Sequence, residues 1–586
     1  MKKVILFILL TSISIASFAQ LITPFTARFA VTQKGGITII GNTATSCGAA
    51  SSSCQNHTCA QAHAEVSPGG VGVDNDFVQS YVDIDADGTT FMSSSDSLTL
   101  PSCSLISFAG LYWGAGGAVG EADGPNWPTR ANAKIKVNNG AYVNITADAT
   151  FDNNTGYKSY HNFKNITNIV TAAGINARFT IANMPLLNDA GGTTNRWGGW
   201  AIVIVYRNDL QTLKNLIVFN GLTNVSSTNT ITDIPLAGFL TPPTGPVNFQ
   251  LGLVTYDGDR GASASACSTS YVGDSLLFKS AGNFVPISDA RNPVNDVMNS
   301  TLSVNGVATL YRNPLFGNTL GFDADIFAPN NAAKNYIANS ATTATIRERT
   351  GGETYITQVI TSAIDVFEPD DRGGLKVVDL NGGSVVAGDT LEYTATIKNI
   401  GSNPSINTYI VDSFPFNCVY VPGSMNVVYG PNAGVKTDAS GDDQGDFYPI
   451  AKSIKVRIGT GANAVSGGTL IDSPTGIDST QVKFRVTVTT DCIVMLCSNI
   501  IANRFHVVGT GFISGNSYDT GSNPTILDGN GCPVQGTTNT PISSVACQPP
   551  TASNNSPVCV GGTINLSVQS SPNATYSWTG PNGFAG

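Results

Sequence analysis

The chain predicts an all-β fold, built as tandem antiparallel β-sandwiches, on three observations. Only 12% of its 586 residues are charged while 62 are glycine, so long helices held by Glu/Lys pairs have little raw material. Short β-branched or aromatic runs each end in a turn signal: "SLISFAGLYWGAGG" (104–117), "WAIVIVYRND" (200–209), "NLIVFNGL" (215–222) and "FQLGLVTYDGD" (249–259). In "LEYTATIKN", Leu391, Tyr393, Ala395 and Ile397 share one face and Glu392, Thr394, Thr396 and Lys398 the other. That is the period of a half-buried strand, and "QVKFRVTVTT" repeats it with Val482, Phe484, Val486 and Val488 inward.

Residues 1–19 read as a secretory signal: Lys2 and Lys3 give a basic start, Val4 to Leu10 begin an apolar core, and cleavage is expected after Ala19. The cleavage region has no cysteine to carry a lipid. No later stretch approaches the roughly 18–20 apolar residues of a membrane span, so the chain is expected to be secreted or on the outer cell surface, without a transmembrane segment. Residues 20–367 form a large β-rich head, long enough for one sandwich or two packed subdomains, with a short helical turn allowed near "NITNIVTAAG" (165–174). "FEPDDRGG" (367–374) marks a linker over 368–373. Residues 374–545 make a second sandwich of immunoglobulin-like scale, 546–555 a second linker, and 556–586 the truncated start of a further immunoglobulin-like module.

Four motifs within about fifty residues of the second sandwich carry a resemblance: Gly388-Asp389-Thr390 before the strand with Tyr393, Asn399-Ile400-Gly401, Val411-Asp412-Ser413-Phe414-Pro415, and Val421-Pro422-Gly423-Ser424. They resemble the conserved-repeat domain of bacterial surface proteins, the domain of unknown function eleven, which implies a non-catalytic spacer module of exported adhesin-like proteins. Cys559, Gly561-Gly562-Thr563, Tyr576-Ser577-Trp578 and Gly580-Pro581-Asn582-Gly583-Phe584 resemble the opening of immunoglobulin-like or PKD-like repeats in large surface proteins of gliding gram-negative bacteria. That resemblance implies a later cysteine partner for Cys559, so Cys559 is expected to be unpaired in this chain and the chain to be part of a longer one. "YVDIDADGTTFMSSSDSLTLP", "FAGLYWGA", "GGWAIVIVY", "LGLVTYDGDRG" and "LGFDADIF" are similar to the head that precedes such repeats. Gliding motility and type IX secretion are what this company implies.

Eleven cysteines in an exported chain point to disulfides, with Cys47, Cys54, Cys59, Cys492, Cys497, Cys532 and Cys547 as candidates. "CGAASSSCQNHTCAQAH" also puts His57 and His63 beside Cys47, Cys54 and Cys59, the donor types of a zinc site. The spacing matches no common finger, and an oxidising compartment favours a disulfide loop. A net charge of −10 with no Lys/Arg cluster argues against a nucleic-acid partner. The expected partner is an extracellular glycan or protein.

No nucleophile elbow, zinc-protease helix or phosphate loop is present, and there are only four histidines. His161 and His506 fall in strands, where a hydrogen-bonded structural histidine is the commoner outcome. The alternative from another class is a carbohydrate-active hydrolase, which needs only two facing carboxylates in the head. An isopeptide link from Lys376 to Asn399 would need Glu392 buried, and the alternation points Glu392 outward.

Folding requires no cofactor, and calcium is the ion the acid clusters could take. Those clusters are Asp83/Asp85/Asp87, Asp257/Asp259, Asp323/Asp325, Asp370/Asp371 and Asp438/Asp442/Asp443/Asp446. "TDASGDDQGDF" (437–447) is a turn-rich loop able to wrap an ion. Counted as an EF-hand from Asp83, "DIDADG" fits the first six positions, but position twelve is Ser94 where a bidentate Glu is needed. It reads as a strand running into a turn, with calcium at the turn as the alternative. Among aromatic residues, Trp127 in "GPNWPTR" is the candidate ligand contact, while Trp113 and Trp200, beside apolar runs, read as core.

Overall fold

The computed structural model describes the chain except residues 1–20, 51–57, 65–76, 119–122, 155–156, 188–195, 261–272, 367, 472–478, 525–527, 529–531, 533, 535, 544–550, 571–574, 581–582 and 584–586. The signal sequence, Cys54, His57, Cys547 and residues 546–550 of the second expected linker lie outside the described residues. The chain divides into two compact units, 1–366 and 367–586, and strands make up nearly all the regular structure of both. Among the described residues the helices are short, such as Thr167–Ala173 and Cys492–Cys497. None is long and apolar enough to cross a membrane.

Strand Leu21–Thr43 organises the first unit. Its first half, to Lys34, runs antiparallel to Leu213–Thr223, and its second half, from Gly35, runs antiparallel to Trp197–Arg207. The handover falls at Gly35, with φ +136° and the Tyr206 carbonyl oxygen 2.0 Å from where a Cβ would sit. Only glycine fits there. The resulting sheet has 11 strands. Beyond Leu213–Thr223 it continues through Ile356–Asp365, Phe249–Tyr256 and Phe322–Phe327, and beyond Trp197–Arg207 through Leu105–Ala118 and Tyr157–Asn165.

The two halves of this sheet face each other across a shared core. Ile37, Ile39, Val203 and Val205 come from one half, Leu216, Val218, Val254 and Phe322 from the other, and the Phe322 ring lies 2.3 Å from the Cβ position of Gly199. Each outer face is covered by a four-stranded sheet. Ser93–Thr99, Asn176–Ala182, Asn132–Val137 and Val143–Thr146 close over Leu111, Trp113, Trp200 and Ile202. Ile231–Ala237, Thr343–Arg349, Ser275–Lys279 and Val285–Ile287 close over Ile217, Phe219, Leu251 and Ile360. The unit is therefore four sheet layers around three cores. Strands covered on both faces have no solvent side, which is why Trp197 to Val205 is buried at every position.

The second unit is a two-sheet sandwich around one core. One sheet includes Asn426–Tyr429, Ser479–Val488, Thr390–Asn399 and Asp371–Asp379; the other includes Gly445–Tyr448, Ser453–Arg457, Ser405–Ser413, Phe505–Gly511 and Ser517–Gly521. The inward residues anticipated from the period-two pattern, Leu391 to Ile397 and Val482 to Val488 at alternate positions, all lie in this core. Tyr393 stands opposite Phe484 in register, with ring centroids 5.5 Å apart.

Residues 371–373 are not linker. Asp371 pairs with Asn399 at the start of a strand running to Asp379, and the Phe505 ring sits 2.6 Å from the Cβ position of Gly373. The Pro, Asp and Gly content that signals a turn here instead serves a strand edge where a neighbouring ring needs room. In the second expected linker, Ala552–Asn554 likewise forms a strand, paired with Leu566–Val568.

Candidate functional site

Trp127 is buried, not presented to a ligand. It opens the turn Trp127–Thr129 at 3% exposure, meets Tyr160 edge-on at 5.2 Å, and lies beneath Lys158 and Arg130 at 5.6 and 5.9 Å. The prolines and polar neighbours that make the segment look exposed shape a turn that folds the ring into the core. Trp113 and Trp200 are core residues whose indole N–H groups donate to the Arg130 carbonyl at 3.3 Å and to Ser94 Oγ at 2.8 Å.

Cys47 and Cys59 form a disulfide, with Cα atoms 5.6 Å apart. Sulfurs bonded to each other are not thiolates, which overturns the zinc reading for this pair. His63 lies close by, with Nδ1 3.0 Å from the Asn318 carbonyl oxygen and its ring stacked on Phe316; burial lowers its pKa. Cys492 and Cys532 are disulfide-bonded, as is Cys103, which no spacing pattern singled out. Cys497, expected in a disulfide, carries a free exposed thiol, as does Cys559, and Cys418 is free and buried.

The acid loops use their carboxylates internally. Asp83 accepts from Ser93 Oγ at 2.7 Å, and Asp87 accepts from the Thr89 amide at 2.9 Å. Asp85 accepts from Lys136 Nζ and Tyr142 Oη, each at 2.6 Å. Burial acts to raise the Asp85 carboxyl, but these bonds outweigh it and hold it below its usual range. A lysine ammonium thus stands where calcium was the alternative. In the second loop, Asp438 accepts from Tyr420 Oη and the Gly423 amide, Asp442 from Thr437 Oγ1, and Asp443 from the Thr437 and Gly445 amides. Asp446 pairs with Arg457 at 2.8 Å, both nearly buried. For Asp438, Asp442, Asp443 and Asp446, where calcium was the expectation, each carboxylate is turned onto a different donor and the four do not converge; among the described residues the set of three or more potential ligand residues that comes within 4.8 Å is Cys47, Cys59 and His63.

A different set of carboxylates is buried in the first unit. Asp323 stands opposite Thr255 in the pairing of Phe322–Phe327 with Phe249–Tyr256, so Asp257-Gly258-Asp259 follows directly where that strand ends. Asp274 bridges to Asp296, and its Oδ2 accepts from the Met298 amide at 2.6 Å. Glu353 accepts from the Asp259 amide, and Asp323 Oδ1 accepts from the Thr301 amide at 2.9 Å. Asp274, Asp323 and Glu353 are at most 3% exposed. Burial pushes the Asp274 carboxyl up to about 6. Burial first, then the charge of Asp325, raises Asp323 well above its usual range. Burial first, then Asp274 and Asp259, does the same for Glu353. Asp257, Asp259 and Asp323 were legible in Asp-x-Asp pairs; Asp274, Asp296 and Glu353 carried no local signal, because only the sheet order brings them near.

His161 and His506 have structural partners. His161 is fully buried against Tyr256 and Trp197, and burial lowers its pKa to about 3. His506 pairs with Asp519 at 2.6 Å on the surface.

No family model matches the chain, and no curated protein matches it. Among solved structures, the collagen-binding domain from a Staphylococcus aureus adhesin is similar at 11% identity, covering 27% of this chain and 97% of that one, with a TM-score of 0.16. The full-length major pilin SpaD from Corynebacterium diphtheriae is similar at 10% identity over 51% and 67% of the two chains, with a TM-score of 0.20. The N-terminal domain of the Streptococcus gordonii adhesin Sgo0707 is similar at 10% identity over 90% and 95%, with a TM-score of 0.22. At such scores these likenesses carry no argument about this chain.

Proposed function

We propose that the chain is a secreted or cell-surface adhesin-like protein, in which a sandwich module spaces a four-layered head that engages an extracellular glycan or protein. The observation that carries this reading is the tandem of two all-β units, each packed on its own apolar residues; the signal-like residues 1–19 support it. The motif resemblance of 374–430 to the conserved-repeat spacer supports it, and the resemblance of 556–586 and of the head to surface proteins of gliding bacteria supports an origin there and export by type IX secretion. The hydrolase alternative is disfavoured by placement: Asp323 and Asp325, two residues apart on one strand, are 2% and 3% exposed. Carboxylates sealed in this way do not reach a glycosidic oxygen.

Protease shaving of intact producing cells, combined with binding of the purified chain to arrayed glycans and matrix proteins, tests the proposal. Release of head peptides from intact cells and saturable binding to one ligand class are expected. Retention inside the cell, or release of reducing sugar from a polysaccharide panel, would overturn it.

A further inference from the structure

We propose that Asp274, Asp323 and Glu353 of the first unit, together with the Met298 carbonyl oxygen, form a calcium site inside the head. Acidic residues gather in many proteins without binding anything, so the inference rests on their oxygens. Asp274 Oδ1, Asp323 Oδ2 and Glu353 Oε2 are all buried, and none has a hydrogen-bond partner. A buried carboxylate oxygen without a donor is costly unless a proton or a cation meets it.

The backbone fixes each of these groups through one oxygen. The Met298 amide fixes Asp274 through its other oxygen, the Thr301 amide fixes Asp323, and the Asp259 amide fixes Glu353. Each side chain is thereby oriented by one oxygen and leaves the second one unused. Around Gly258 the Met298 carbonyl oxygen and Asp323 Oδ2 lie 2.4 and 2.7 Å from the position a Cβ would take. A glycine here keeps that space open between a carbonyl and a carboxylate oxygen. Electrostatically the same residues face one another: Asp274 acts on both Asp323 and Glu353, and Asp296 acts on both as well.

An all-oxygen donor set that mixes carboxylates with a main-chain carbonyl selects a hard cation, and a flexible cage drawn from separate loops suits the six to eight ligands of calcium better than the strict octahedron of magnesium. Among the described residues no three of these carboxylates bring an oxygen each within 4.8 Å of one another, so binding draws the side chains inward. Calcium in this position would tie together the residue before Ser275, the loop around Met298, the start of strand Phe322–Phe327 and the loop before Ile356, which come from four separate parts of the chain.

The test is calcium chloride titrated into the purified, chelator-treated chain at neutral pH, read by calorimetry and by thermal melting. One bound calcium is expected, with the head's transition rising by roughly 2 °C or more at about 2 mM. The double variant Asp323→Asn/Glu353→Gln replaces charge by amides of the same shape, and is expected to melt no lower than the wild type in chelator while losing the calcium response. No heat and no melting shift in the wild type overturns the proposal, and so does a calcium response that survives in the double variant. Equal binding of magnesium chloride overturns the choice of calcium. Should the double variant fail to fold, Asp323→Asn alone is read: an affinity at least tenfold weaker is expected, and an unchanged affinity overturns the site.

Discussion

Two buried sites, one in each unit, hold charge in opposite ways. In the second unit Asp446 is enclosed but answered by Arg457 at 2.8 Å and by Tyr448 Oη at 2.9 Å; burial acts to raise its carboxyl, and these bonds more than reverse that. In the first unit Asp274, Asp323 and Glu353 are enclosed with an oxygen each left unanswered, and their pKa values rise. The difference lies in the partner: Arg457 reaches Asp446, whereas one oxygen of each of the other three carboxylates meets no donor. A buried pair of opposite charges is a structural fitting, while a buried group of like charges is unstable by itself and invites a proton or an ion.

Arg457→Met gives the sharpest test of that contrast. It leaves Asp446 uncompensated and is expected to cost about 3–5 kcal/mol, read as a lower urea midpoint for the second unit with the first unit's transition unmoved. A cost below about 1 kcal/mol would mean that Asp446 does not need its arginine, and the contrast between the two sites would collapse. Gly35→Ala tests the layering itself. With φ at +136° and the Tyr206 carbonyl 2.0 Å from the new Cβ, a loss of about 2–3 kcal/mol is expected in the first unit alone. An unaltered melting profile would show that the strand does not need glycine to pass from one half of the sheet to the other.

The smallest expected effect concerns a feature the second unit shares with the first. Burial pushes the Asp412 carboxyl up to about 7, above the ~3.9 of an unfolded aspartate. The folded state therefore holds a proton that the unfolded state releases, so this contribution to stability is complete below about pH 4 and is lost as pH rises through about 7. Asp412→Asn, with the Asn503 amide still beside it, is expected to flatten the second unit's stability between pH 5 and pH 7 by about 1–2 kcal/mol. Urea midpoints at the two pH values measure it, and an equal slope in the variant would assign the pH dependence elsewhere, for instance to Asp371, which burial raises to about 6.

How much the sequence discloses also differs between the units. In the second, alternation placed Tyr393 and Phe484 inward and Glu392 outward, and Glu392 is found on the solvent side with Lys483 at 2.6 Å and Arg485 at 3.0 Å. One face of each strand meets water, so polarity records the register. In the first, "WGGWAIVIVYR" declares a strand without saying which face packs where, because Trp200 enters one core and Trp197 another. The reading of Trp127 failed for a related reason: local polarity describes the neighbours of a residue in the chain, while its burial is set by Tyr160, 33 positions away.

By itself the sequence determined the β-class of the chain, the strand pattern of the second sandwich and the candidate export signal, since composition, periodicity and turn residues are local properties. Only the tertiary structure decided that Asp371 begins a strand, that Lys136 answers Asp85, and that Asp274, Asp323 and Glu353 are each buried with one oxygen unanswered. Those facts depend on the order of strands in the sheets, and sheet order brings together residues that no stretch of sequence places side by side.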